Sequence, residues 1–190
     1  MAEHPSSSDA GGDSANDAPT RILLAVSQSS IQGYPHPSIS SRSAFHWLVD
    51  KLIPPASRPK YKLLILHVQV PDEDAFDDMD SLYATKDDFK AMKHEDKVRG
   101  VHLLEHFVHS CNDIELPCKA WIKKGDARET ICKEVSRVHP DMLVMGSRGL
   151  KTIHKLFVGT VSEYCTKHAD CPVLVIRRKA EDAPDDPMED

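Results

Sequence analysis

Asp141-Met-Leu-Val-Met-Gly-Ser-Arg-Gly149, with Gly159-Thr-Val-Ser162 following after nine intervening residues, reads as a buried strand that breaks into a glycine-spaced loop and then enters a helix. Met142 to Met145 is an unbroken apolar run, which predicts a strand covered on both faces, as in a parallel sheet. Gly146 and Gly149 have no Cβ and are free to take positive φ, so the backbone beyond the strand's carboxyl end can approach a ligand closely. The helix predicted to open at Gly159-Thr160 presents unpaired N–H groups and the positive end of its dipole, and Thr160 and Ser162 add hydroxyl donors. Together these features make an anion site. The alternative is a tight connection whose glycines serve backbone geometry alone.

On either side of this stretch the same alternation continues. Ile22–Val26, Leu63–Val68, Cys118–Ile122 and Val173–Ile176 join Met142–Met145 as strand candidates. All but Cys118–Ile122 are apolar enough for burial on both faces. Four helices are predicted between them. One starts at Ser40 or Ser41, a long one runs from about Asp87 to Asn112, one is capped by Asp126, and the last opens at Gly159-Thr160. On the long helix, Val101, Leu103, Leu104, Phe107, Val108 and Cys111 fall within a sector of about 160° that must face the sheet. Strand and helix in alternation, joined by right-handed crossovers, predict an α/β three-layer αβα sandwich. Residues 1–19 are poor in bulky apolar side chains and are expected to be a disordered tail. Residues 180–190 are expected to be an acidic one, leaving a domain over 20–179.

The formal net charge of -6, from 30 acidic and 24 basic residues, supplies no positive field for nucleic-acid backbones. No apolar run approaches the roughly 20 residues of a membrane span. The five cysteines include no CxxC pair, so neither a disulfide framework nor a zinc site is signalled. A cytoplasmic location is expected, with the nucleus as a second one. Two phosphate motifs are absent: a Walker loop starting at Gly146 would need its second glycine at position 151, where Lys151 stands, so Gly149-Leu-Lys-Thr152 only mimics its tail, and no G-x-G-x-x-G exists.

The spacing that is present, Gly146, Gly149, Gly159 and Thr160 as G-x2-G-x9-G-[ST], resembles the ATP-binding signature of universal stress proteins. The flanks Asp141 to Leu150 and Cys171-Pro172-Val-Leu-Val-Ile-Arg177 are similar to that family too, as are Leu66-His67-Val68 and Gly125-Asp126. The resemblance covers about residues 20 to 178 and is to plant-type members. It implies a Rossmann-like sheet of order 3-2-1-4-5 holding an adenine nucleotide, ATP or AMP, with Mg2+ as an accompanying ion. Ala25, Val26 and Ser27 would then lie beside adenine and ribose, Val68 and Met145 against the base, and Gly146, Gly149, Gly159, Thr160, Val161 and Ser162 around the phosphates. It further implies a homodimer through Val173 to Ile176. Two positions depart from the family pattern. Ser27 stands where many ATP-binding members have an acidic residue, followed by a longer insertion from Gln28 to Ser40, and Lys151 stands where glycine is common.

The function expected is a nucleotide-binding stress regulator that signals to a protein partner. The alternative is a ligand-free dimeric scaffold or chaperone-like module. No catalytic residues are assigned, and slow ATP hydrolysis is the most the motifs support. No metal site is expected either. His102, His106 and His109 share one side of the long helix as a solvated stripe, and the acidic run Asp72 to Asp80 lacks the order of a calcium loop. Cys111, Cys132 and Cys165 are read as packing residues, with Cys171 the candidate for redox sensing. Ser6 to Ser8 and Ser38, Ser40, Ser41 and Ser43 are read as kinase-accessible.

Overall fold

The computed structural model describes residues 18–30, 32–70, 86–147 and 160–177. In chain order its elements are β1 (Thr20–Val26), β2 (Gln28–Ser29), β3 (Gly33–Pro37), α1 (Ile39–Trp47), β4 (Tyr61–Gln69), α2 (Lys86–Asp113), β5 (Cys118–Lys124), α3 (Ala127–Val138), β6 (Met142–Ser147), α4 (Thr160–His168) and β7 (Val173–Arg177). Five strands form one parallel sheet in the order β5-β4-β1-β6-β7, and β2 and β3 form a separate antiparallel ribbon. Renumbered by rank within the large sheet, the order is 3-2-1-4-5, as the resemblance implies.

β1 lies in the middle because its sequence requires it. Ile22, Leu23 and Leu24 are at most 1% exposed, and three consecutive apolar side chains are buried together only when both faces of the strand are covered. Alternation along the strand divides the core in two. Ile22, Leu24 and Val26 pack with Phe45 and Leu48 near α1 and with Leu104, Phe107 and Cys111 of α2. Leu23, Leu64, Leu66, Leu143 and Met145 pack with Ile131 and Val135 of α3 and Cys165 of α4. Two helices therefore cover each face, and the chain returns across the sheet between β5 and β6. That return puts the topological switch point of the sheet between the carboxyl ends of β1 and β6, where open α/β sheets take their ligands.

Several expectations change. The insertion after β1 folds into the β2–β3 ribbon and runs directly into α1. That helix is capped by Ser38, whose Oγ accepts from the Ser41 N–H at 3.1 Å, rather than by Ser40 or Ser41. Ser38, Ser40 and Ser41 are 0 to 3% exposed, so they are core side chains and not kinase-accessible ones. On α2, Val101 is 40% exposed and sits at the rim of the apolar sector, while Leu103 and Phe107 are fully buried. β7, read as covered on both faces, is an edge strand with Val173, Leu174 and Val175 only half-buried. Ser6 to Ser8 and the acidic run from Asp72 lie outside the described residues.

The α3 face carries a buried charge. Glu134, 4% exposed, accepts from Trp121 Nε1 at 2.8 Å, from Arg137 at 2.6 Å and from Lys123 at 3.3 Å. Burial works against the ionised form, but these donors outweigh it and hold the carboxyl below its usual pKa. Glu134→Ala leaves the Trp121 N–H without its acceptor and is expected to cost about 2 kcal/mol. Glu134→Gln, which keeps a carbonyl facing the indole, is expected to cost roughly half as much. Urea unfolding of both variants is the measurement, and equal losses would assign the effect to charge rather than to the indole hydrogen bond.

Candidate functional site

Just past the end of β1, Ser27 is built into the start of α1. Its N–H donates to Ser41 Oγ at 2.9 Å, its carbonyl accepts from the Ser38 N–H at 2.9 Å, and its Oγ lies 3.0 Å from Ser38 Oγ. Ser38 Oγ in turn donates to Ser41 Oγ at 2.9 Å. The three hydroxyls form a closed cluster that fixes where the strand ends and where the helix begins.

Neighbouring strands bring four of the expected site residues to one face. Ala25 is in register with Met145 across β1 and β6. Val68, near the end of β4, and Val161, in the first turn of α4, pack into the same cluster. Val26 points to the opposite face, into the cluster with α1 and α2. Ser162 is 3% exposed, and its carbonyl accepts from Thr166 Oγ1 at 2.7 Å. Gly149, Gly159 and the Thr160 side chain lie outside the described residues.

Gly146 differs from its sequence reading. It lies inside β6, in register with Ile176, and does not take positive φ; among the described glycines only Gly33 and Gly125 do. Its missing side chain admits α1. A Cβ there would overlap the Ser40 carbonyl, lying 2.6 Å from its carbon and 2.8 Å from the Ser40 Cβ. Ser40 Oγ donates to the neighbouring Ser147 carbonyl at 3.3 Å, which completes the contact.

One residue at this end of the sheet carried no signal in its spacing. His67 is 2% exposed and its Nδ1 lies 3.0 Å from the Val26 carbonyl, so the ring bridges β4 to the last residue of β1. A carbonyl only accepts, which puts the proton of the neutral ring on Nδ1. Burial lowers the His67 pKa, with the carbonyl contact acting in the opposite direction. Below about pH 6.5 the unfolded chain then binds a proton that the folded chain resists. His67 should therefore contribute stability that is complete above that pH and is lost as pH falls toward the folded-state value, with a slope of at most about 1.4 kcal/mol per pH unit. Urea midpoints between neutral and mildly acidic pH should fall less steeply in His67→Gln than in the parent chain, and parallel slopes would remove His67 from the account.

The other side chains singled out in the sequence lie elsewhere. His102, His106 and His109 are exposed along α2 and, with His36 of the ribbon, line a groove between β3 and α2. Partial burial lowers the His106 pKa, helped by Arg42 and His46. Among the described residues, no group of three or more His, Cys, Asp or Glu side chains is placed to hold a metal ion. Burial pushes the Cys171 thiol up, the opposite of what an activated thiol needs. No described helix is long and apolar enough to cross a membrane.

The profile of the Universal stress protein family matches residues 20–177. The chain is 52% identical over 172 residues to the universal stress protein A-like protein of Arabidopsis thaliana, covering 90% of this chain and 98% of that one. The crystal structure of a universal stress protein family protein from Arabidopsis thaliana with AMP bound matches at TM-score 0.70 and 46% identity, over 90% of this chain and 100% of that one. The universal stress protein UspA of Lactobacillus plantarum shares the fold at TM-score 0.57 and 22% identity, over 85% of this chain and 100% of that one. A sheet order, a glycine signature and relatives matched along nearly their whole length agree, and the chain belongs to the universal stress protein family.

Proposed function

We propose that this chain binds an adenine nucleotide, AMP or ATP, at the carboxyl ends of β1 and β6 and acts as a regulator in stress responses. The observation that carries the reading is the likeness to the AMP-bound Arabidopsis structure, 46% identical and matched over 100% of its length. In this reading the base lies against the face formed by Ala25, Val68 and Met145, with the backbone of Val26 and Ser27 beside it. The phosphates lie at Gly146, Gly149, Gly159, Thr160, Val161 and Ser162, where the first N–H groups of α4 favour an anion. Mg2+, where ATP is the nucleotide, enters on its phosphates. The half-buried apolar edge of β7 fits a homodimer seam over Val173 to Ile176, and the domain of residues 20–179 works in the cytoplasm.

A second reading, a ligand-free dimeric scaffold, is favoured by Ser27. Its N–H, carbonyl and hydroxyl all make hydrogen bonds within the chain. Calorimetric titration with AMP and with ATP plus magnesium separates the two. Micromolar binding of either nucleotide supports the first reading; no heat, and no binding in a second equilibrium assay, leaves the scaffold.

A further inference from the structure

Cys132 of α3 and Cys165 of α4 stand with their sulfurs 4.0 Å apart. They are 33 positions apart in the chain, so helix packing and not local geometry brings them together. Cys165 is fully buried, and Cys132 is half-buried, which gives a small reagent a way in on one side of the pair. Bonded sulfurs are about 2.05 Å apart, so the gap to close is about 2 Å, within reach of side-chain rotation and a small shift of one helix.

We propose that Cys132 and Cys165 form a reversible disulfide that ties α3 to α4, with a small disulfide of the glutathione type as oxidant. The Cys132 thiol releases its proton to solvent, and its sulfur attacks one sulfur of the oxidant. The oxidant's S–S bond breaks, one small thiol leaves, and the other half remains on Cys132 as a mixed disulfide. The Cys165 sulfur, giving up its proton, then attacks the Cys132 sulfur and displaces the second small thiol. Two protein thiols lose two electrons, and one small disulfide is reduced to two thiols.

The surroundings set the rate. Burial pushes both thiols up, Cys165 to about 12, so thiolate is scarce at neutral pH. The bond forms slowly, and its rate climbs about tenfold per pH unit in the neutral range. This is the behaviour of a tie that follows the standing thiol–disulfide balance rather than of a fast peroxide sensor. Its structural effect falls on α4, which the bond anchors to α3 whether or not a nucleotide is bound.

The test uses the full reduced chain, incubated with glutathione disulfide at mildly alkaline pH, acid-quenched, alkylated and mapped by peptide mass spectrometry. The expected product is a monomeric chain linked Cys132 to Cys165, reversed by dithiothreitol, with Cys111, Cys118 and Cys171 still alkylated. Amide exchange in the peptide covering α4 should slow severalfold on oxidation. Cys171→Ser should retain both effects, and Cys132→Ser should lose both. Because the link is mapped on the unsubstituted chain, the result stands even where a variant folds poorly. A chain whose five thiols all stay free of protein disulfide overturns the proposal, as does a link only between Cys111 and Cys118, between Cys165 and Cys171, or between chains.

Discussion

Gly146→Val is expected to destabilise the folded chain by about 3 kcal/mol, toward the upper end of what overpacking costs. The reason is the identity of the neighbour. A Cβ at this position meets the backbone of Ser40 in the first turn of α1 rather than the end of a flexible side chain. Ser40 cannot rotate away, because α1 is held by the Ser38 cap and by the hydroxyl cluster with Ser27 and Ser41. Relief therefore needs α1 to lift from β6, which would also break the bond from Ser40 Oγ to the Ser147 carbonyl. For a chain of this size the loss corresponds to a fall in Tm of roughly 6–12 °C. Gly33→Ala is the control. Gly33 has φ +61 with nothing near its vacant Cβ position, so it should cost only about 1 kcal/mol, from backbone conformation alone. Equal losses at the two positions would show that the contact with α1 is not what Gly146 protects.

That expectation bears on how the glycine signature is interpreted. Spacing shows that a glycine is required at 146 but not which neighbour requires it. A nucleotide and a helix backbone both exclude a Cβ, and the helix that does so here begins more than a hundred residues earlier in the chain. A Gly146 variant that binds no nucleotide therefore says little about contact with the ligand, since the same change displaces α1 and with it the tip of β1.

Other differences between sequence and structure have the same origin. The three inner strands were legible because a parallel strand covered on both faces has to be an apolar run, and Leu63 to Leu66 or Met142 to Met145 have few other uses; the edge strands β5 and β7 were legible as short β-branched or alternating runs between helices. The β2–β3 ribbon was not, since Gly33-Tyr-Pro-His-Pro37 has two prolines and no alternation, and such a strand survives only because its ribbon has open edges. Among Ser38, Ser40, Ser41 and Ser43 each is an acceptable helix cap by itself. The choice of Ser38 follows from Ser40 and Ser41 being buried against β6 and Ser27, contacts that no local pattern encodes. Val101 was assigned to the buried sector by angle alone, whereas the width of the buried stripe is set by how closely α2 meets the sheet. His67 interrupts an apolar run, which hints at a buried polar partner, but that partner is a carbonyl on another strand.

Gly159→Asp is expected to weaken AMP binding about 100-fold, or about 2.7 kcal/mol, with little loss of fold stability. Position 159 immediately precedes Thr160, the first residue of α4. Asp is among the preferred residues at a helix cap, so the substitution suits the helix and avoids the difficulty that attends Gly146. Its carboxylate would compete for the N–H groups proposed to receive the phosphates and would repel a nucleotide's negative charge. Losing one or two charge-assisted hydrogen bonds, at about 1.5–3 kcal/mol each, accounts for the size of the effect. Gly159→Asn separates the causes, because it offers α4 an equally good cap of nearly the same shape without the charge. The Asn variant should retain most of the affinity, and the difference between the two should shrink as salt is raised. Calorimetry on three folded proteins, the parent and the two variants, decides the matter: equal AMP affinity in all three would place the phosphate away from the start of α4, and equal loss in both variants would make the requirement steric rather than electrostatic.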